Sequence, residues 1–142
     1  MKKILFLCTG NSCRSQIAEG LANDIFDSSY NIESAGTEKH GVNPYAIKTL
    51  GDIGIDISNY KSKTINLDEL NRFDLVITLC GDAKDKCPIL DKGVKHIHWD
   101  LKDPAKFEGA ELEIMFHFGN TRDLILNNIK ELKINLEKGN LK

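Results

Sequence analysis

The apolar run Ile4-Leu5-Phe6-Leu7 ends directly on Cys8, and Cys8-Thr9-Gly10-Asn11-Ser12-Cys13-Arg14-Ser15 leads straight into a helical repeat of Ile17, Leu21, Ile25 and Phe26. A short apolar run closed by a glycine-bearing turn suits a strand buried in a parallel sheet. Apolar residues recurring every four positions then give one face of a helix. A strand that hands over to a helix this abruptly commits the chain to an α/β arrangement if the alternation continues.

It does continue. Tyr30 to Ala35 forms a second strand pattern closed by Gly36, and Pro44 opens a helix carrying Ala46, Ile47 and Leu50. Residues 55–67 are polar and irregular, a surface loop, and Asp68 to Asn71 suits a short helix. Asp74-Leu75-Val76-Ile77-Thr78-Leu79 is the strongest strand pattern, residues 80–93 are mixed, and Lys95 to Trp99 allows a short fourth strand. Residues 110–138 form a long amphipathic helical region with Leu124, Ile125, Ile129, Leu132 and Leu136 on or near one face. Phe107, Phe116 and Phe118 either pack on the sheet or mark a partner surface. The 142 residues suffice for one full core, so the expectation is a single α/β domain over 1–142. Its four-stranded parallel sheet is flanked by helices in three layers.

Composition narrows the function classes. A net charge of -2 gives no basic footprint for nucleic acid. No apolar run is long enough to span a bilayer, and the apolar stretch after Lys2-Lys3 is too short for an export signal. Four cysteines without such a signal imply a reducing cytoplasm. The other readings are two structural bridges or a zinc site, but no CxxC pair exists. His40, His96, His98 and His117 form no metal pattern and are expected to pack or face solvent, so no metal site is assigned.

In open parallel sheets ligands bind beyond the carboxyl ends of the strands. Cys8 stands at one such end, and Cys80 at the end of the strongest strand. If those strands are neighbours, the two thiols share an edge at roughly 5 Å strand spacing, near disulfide reach. The backbone amides of Thr9 to Ser15 can turn inward as a nest for an oxyanion, at the positive end of the following helix. Gly10 permits a tight bend and Asn11 tolerates a left-handed backbone. Arg14 adds a two-pronged clamp. The same dipoles favour the Cys8 thiolate, and the Ser15 hydroxyl can donate to it. The alternative is a buried structural cysteine beside an incidental arginine.

The loop from Cys8 to Ser15 resembles the phosphate loop of the low-molecular-weight protein tyrosine phosphatase superfamily, and more narrowly of the thioredoxin-coupled arsenate reductases on that fold. Ser34-Ala35-Gly36, His40-Gly41-Val42-Asn43-Pro44, Gly54-Ile55-Asp56-Ile57-Ser58, Asp74 to Cys80, Cys87-Pro88, His98-Trp99 and Asp103-Pro104 carry the same resemblance. It runs from residue 3 to about 104 and returns at Arg122-Asp123. It implies a low-molecular-weight phosphatase-like fold and an enzyme that reduces arsenate to arsenite in arsenic detoxification. Cys8 would be the nucleophile and Asp103 the general acid, with Thr9, Gly10, Asn11, Ser12, Cys13, Arg14 and Ser15 as the substrate cradle.

Hydrolysis of a phosphate ester needs one thiol, an arginine and an acid. Arsenate also fits a tetrahedral cradle, but reducing it needs a second thiol to attack the sulfur of the first. Cys80 suits that step and Cys87 suits the next, receiving the disulfide by exchange. On a regular helix Cys80 and Cys87 would lie about 10.5 Å apart, beyond the ~7 Å a disulfide allows. The segment between them must therefore bend or unwind, for which Gly81 and Pro88 are suited. The family implies thioredoxin as reductant, no tightly bound cofactor, and a cytoplasmic monomer. Some relatives hold potassium through residues matching Asn11, Glu19 and Ser34 plus an acidic residue. Lys63 stands at that last place, which puts the ion site in doubt.

The alternative function is a low-molecular-weight protein tyrosine phosphatase. That branch usually follows Asp-Pro with an aromatic, where this chain has Ala105. A non-catalytic oxyanion-binding or redox-sensing module is the third reading. Residual phosphatase activity is expected because the cradle is shared.

Overall fold

The computed structural model describes residues 2–81, 90 and 93–139. The opening apolar run becomes β1 (Lys2–Cys8), buried from Ile4 onward. It pairs in parallel with β2 (Tyr30–Gly36) on one side and β3 (Leu75–Thr78) on the other. β4 (His96–His98) adds to β3, also in parallel, giving the order β2-β1-β3-β4. Three α-helices complete the frame: α1 (Arg14–Ile25), α2 (Pro44–Gly51) and α3 (Glu111–Glu137). Pro44 occupies the first turn of α2, where its missing N–H costs nothing, and Asn43 caps that helix by accepting from the Tyr45 N–H at 2.8 Å. Leu67–Arg72 and Pro104–Lys106 are 3-10 turns. The α/β fold with a four-stranded parallel sheet is thus present as expected.

Strand alternation sorts β1 between two cores. Ile4 and Phe6 face a large cluster with Ile17, Ala18 and Leu21 of α1, Ala46 and Leu50 of α2, and Phe118, Ile125 and Ile129 of α3. Leu5 and Leu7 face a smaller one with Val76, Leu70 and Phe73, the latter two from the 3-10 turn and its end. The sheet is covered on both faces, but the layers are unequal. Each fully buried leucine, isoleucine, valine or phenylalanine among them contributes about 1.5–3 kcal/mol, so among the described residues more of the apolar burial lies on the three-helix side.

The face of α3 needs one correction. Ile125, Ile129 and Leu132 are buried, at steps of four and three, whereas Leu124 is 55 % exposed. It sits one residue, about 100° of helix, away from the stripe. The three phenylalanines divide: Phe118 is core, Phe116 is exposed, and Phe107 stacks on the His117 ring at 3.5 Å between centroids. No helix among the described residues is long and apolar enough to cross a membrane.

All four strands end on one edge of the sheet. Leu7 pairs with Thr78, and the Leu79 N–H donates to the Leu7 carbonyl at 2.9 Å. By this register Cys8 stands level with Leu79, and Cys80 follows one residue further along the neighbouring chain at the same edge of the sheet. Cys87 and Pro88 lie outside the described residues.

Candidate active site

The loop from Cys8 to Arg14 is fixed by its carbonyls. Thr37 N–H donates to Cys8 O at 3.2 Å, Glu38 N–H to Thr9 O at 2.8 Å, His40 N–H to Gly10 O at 3.0 Å, and Asn43 N–H to Ser12 O at 3.1 Å. The Ser62 hydroxyl donates to Asn11 O at 2.6 Å, and Ile17 N–H to Cys13 O at 2.9 Å. Every carbonyl from Cys8 to Cys13 is thus held by chain outside the loop. A backbone whose carbonyls all turn outward leaves its N–H groups for the inside, which is the geometry of an anion nest. The following helix adds its positive end: the first turn of α1 holds no acidic residue, and its N-cap, Cys13, makes no side-chain cap.

Asn11 is the keystone. Its φ of 47° is left-handed, a conformation asparagine tolerates better than most residues. Its Nδ2 donates to Ser15 Oγ at 2.8 Å and to Ser34 Oγ at 2.9 Å. Its Oδ1 accepts from Gln16 Nε2 at 3.0 Å and from the Lys63 N–H at 2.9 Å. The side chain is fully buried with all four positions used. Gly10 stands in a bend, as expected, and also gives room to a neighbour. A Cβ there would stand 2.3 Å from His40 Nδ1, so the glycine lets the His40 ring lie against the loop.

Cys8 Sγ lies 2.8 Å from Ser15 Oγ, where the hydroxyl can donate to a thiolate. Arg14 is almost fully buried; its NH1 donates to the Leu101 carbonyl at 2.9 Å and its NH2 lies 3.9 Å from Asp103 Oδ2. Asp103 has the extended backbone that Pro104 requires, and its Oδ1 accepts from the Ala105 N–H at 3.0 Å. These groups surround one cavity of about 140 Å³, lined by Cys8, Thr9, Gly10, Ser12, Cys13, Arg14, His40, Asp103 and Ala105. That volume suits a small inorganic anion better than a drug-sized ligand, whose pockets run to roughly 300–1,000 Å³. A larger cavity of about 450 Å³ opens at the opposite edge of the sheet, lined by Lys2, Ile4, Phe73, Asp74, Leu75 and Lys95 among others. It holds no thiol among the described residues and lies away from Cys8, Arg14 and Asp103, which line the smaller cavity.

Sequence pattern singles out Cys8 and Arg14, the family resemblance adds Asp103, and the structure brings all three to this cavity. Cys80 is buried at the neighbouring strand end and is not among the lining residues. His40 faces solvent as expected and also lines the rim of the cavity, with Nε2 2.7 Å from Glu38 Oε1. The signal for it was positional: it follows β2, whose end lies on the same edge. Cys13 also lines the cavity, and burial, reinforced by Asp103, pushes its thiol up to about 12.

The residues matching a potassium site are arranged as partners of one another. Ser34 Oγ donates to Glu19 Oε1, burial raises the Glu19 carboxyl, and the Asn11 oxygen already accepts two N–H groups. Lys63 Nζ turns away to Glu33 Oε1 at 3.1 Å. Gln16 Oε1 nearby is buried without a partner among the described residues, but one oxygen is not a coordination shell. Apart from Gln16 Oε1, these polar groups are partnered with one another among the described residues.

The model of the family described as "Low molecular weight phosphotyrosine protein phosphatase" matches residues 3–141. The chain belongs to that family. An arsenate reductase of Bacillus subtilis (strain 168) is 52 % identical over 130 residues, covering 92 % of this chain and 94 % of the relative. Among solved structures, an arsenate reductase in the phosphate binding state superposes with a TM-score of 0.73 at 34 % identity, covering 93 % of this chain and 96 % of that one. The thioredoxin-dependent arsenate reductase Cg_ArsC1' of Corynebacterium glutamicum gives 0.63 at 29 % identity over 92 % of this chain and 62 % of that chain.

Proposed function

We propose that this chain reduces arsenate to arsenite through a relay of Cys8, Cys80 and Cys87, with a thioredoxin as the final reductant. Cys8 attacks arsenic(V) in the cradle, and Asp103 supplies the proton with which an arsenic-bound oxygen leaves as water. Cys80 then attacks the Cys8 sulfur. The electron pair of the sulfur–arsenic bond passes to arsenic, which departs as arsenic(III), and a Cys8–Cys80 disulfide remains. Cys87 attacks the Cys80 sulfur, frees the Cys8 thiolate and leaves a Cys80–Cys87 disulfide. A thioredoxin dithiol takes over that disulfide by exchange and becomes oxidised itself.

The observation that supports this most is the parallel pairing of β1 with β3, which sets a second buried thiol at the strand end beside the nucleophile. A hydrolase has no use for it. The relatives named arsenate reductase point the same way. Ester hydrolysis persists as a side activity because the cradle is shared, and Ala105 in the cavity wall gives an aryl ring little to grip. The enzyme works as a cytoplasmic monomer without a bound potassium ion. The test is arsenite release with thioredoxin and its reductase. Steady turnover supports the proposal, and hydrolysis of phosphopeptides without arsenite formation contradicts it.

A further inference from the structure

Cys13 is the second thiol lining the cavity, and the relay does not use it. Its thiol is 5 % exposed, lines the same 140 Å³ space as Cys8, and feels the Cys8 charge. The product makes that placement matter. Arsenate is an anion, held by amides and Arg14. Arsenous acid is neutral at pH 7, so the same dipoles give it little hold, and oxygen ligands are a poor match for a soft trivalent centre. Thiols are the good match.

We propose that Cys8 and Cys13 together form a two-thiol site for trivalent arsenic, so that arsenite returns to the reduced enzyme and inhibits it. The class of ligand rests on the proposed reaction; the site does not. The binding step is ligand exchange without redox change. Two sulfur–arsenic bonds form, two arsenic–oxygen bonds break, and the two thiol protons leave with the two hydroxyls as water, giving a bridged S–As(OH)–S unit. Where Cys8 is already a thiolate, solvent supplies one of those protons. The protonated Cys13 thiol brings its own.

The Cys80→Ser/Cys87→Ser protein retains only Cys8 and Cys13 among the four cysteines, and sodium arsenite is the probe. Reduced protein should bind one arsenic per chain by equilibrium dialysis, and X-ray absorption at the arsenic edge should show two sulfur neighbours and one oxygen. One sulfur neighbour, or no uptake, overturns the site. Adding Cys13→Ser should weaken uptake by about tenfold or more, which is about 1.4 kcal/mol, while phosphate binding shows that the cradle still forms. Unchanged uptake overturns the site. Neither measurement involves turnover. Two-sulfur uptake by this variant together with no arsenate reduction by the wild type contradicts only the proposed reaction. Arsenate reduction by the wild type together with one-sulfur uptake by this variant contradicts only this site.

Discussion

Cys8 and Cys80 stand at the ends of adjacent parallel strands, and both are buried. The surroundings of the two differ. Cys8 opens a loop in which every carbonyl is tied down and a helix begins six residues later, at Arg14. Cys80 is followed by Gly81, packed so tightly on the Leu101 backbone that a Cβ would meet it at 2.5 Å. One thiol is built into a rigid cradle and the other is parked beside it. A nucleophile must be positioned before substrate arrives, whereas a resolving thiol must reach its target only after the first bond has formed. In the proposed mechanism the chain from Cys8 to Arg14 is scaffold, and Cys80 is the thiol that must reach it.

Exchanging each thiol in turn separates the two roles most sharply. Cys8→Ser should abolish both arsenate reduction and aryl phosphate hydrolysis. Cys80→Ser should abolish arsenate reduction while hydrolysis changes by less than about threefold, because the cradle remains. Parallel loss of hydrolysis in Cys80→Ser would mean that Cys80 supports the cradle itself.

The rigidity of the Cys8 side is tested at Asn11. Asn11→Ala leaves Ser15, Ser34, Gln16 and the Lys63 N–H short of a partner. Ser15, Ser34 and Gln16 keep other partners, so at about 0.5–1.5 kcal/mol for each of the four hydrogen bonds lost a loss of about 3 kcal/mol is expected in urea unfolding. A loss below about 1 kcal/mol would show that the loop is held by its carbonyl contacts alone.

A smaller effect concerns pH. The Cys13 thiol is raised from 9.0 to about 12 in the fold. Its contribution to stability is therefore complete below pH 9 and declines as pH rises from 9 towards 12, by at most about 1.4 kcal/mol per unit. Wild type should lose stability between pH 9 and 10.5 more steeply than Cys13→Ser; equal slopes would contradict the buried placement. The smallest effect is that of potassium. With Lys63 paired to Glu33, replacing sodium by potassium at constant ionic strength should change arsenate turnover less than about twofold, and strong activation would contradict the proposed independence.

Much of this was legible in the sequence because it depended on local pattern. The apolar run before Cys8 and the periodicity after Arg14 determine a strand and a helix by short-range rules. The parallel sheet then forces both strand ends to one edge. What local pattern does not carry is contact across the fold. His40 enters the cavity wall only because Gly10 leaves room for its ring. The Leu101 carbonyl that anchors Arg14 lies 87 residues away. Leu124 shows the limit of periodicity: an apolar residue beside the stripe turns outward because the neighbouring position fills the core. The expectation for Cys87 falls outside the described residues, so its part in the relay rests on spacing and on the relatives.

The most direct measurement of the relay is single-turnover chemistry of Cys87→Ser. Mixed with excess arsenate, this variant should release one equivalent of arsenite and stop, with peptide mass mapping showing a Cys8–Cys80 disulfide. Thioredoxin and its reductase should not restart it. Sustained turnover by Cys87→Ser with thioredoxin as sole reductant would contradict the three-thiol relay.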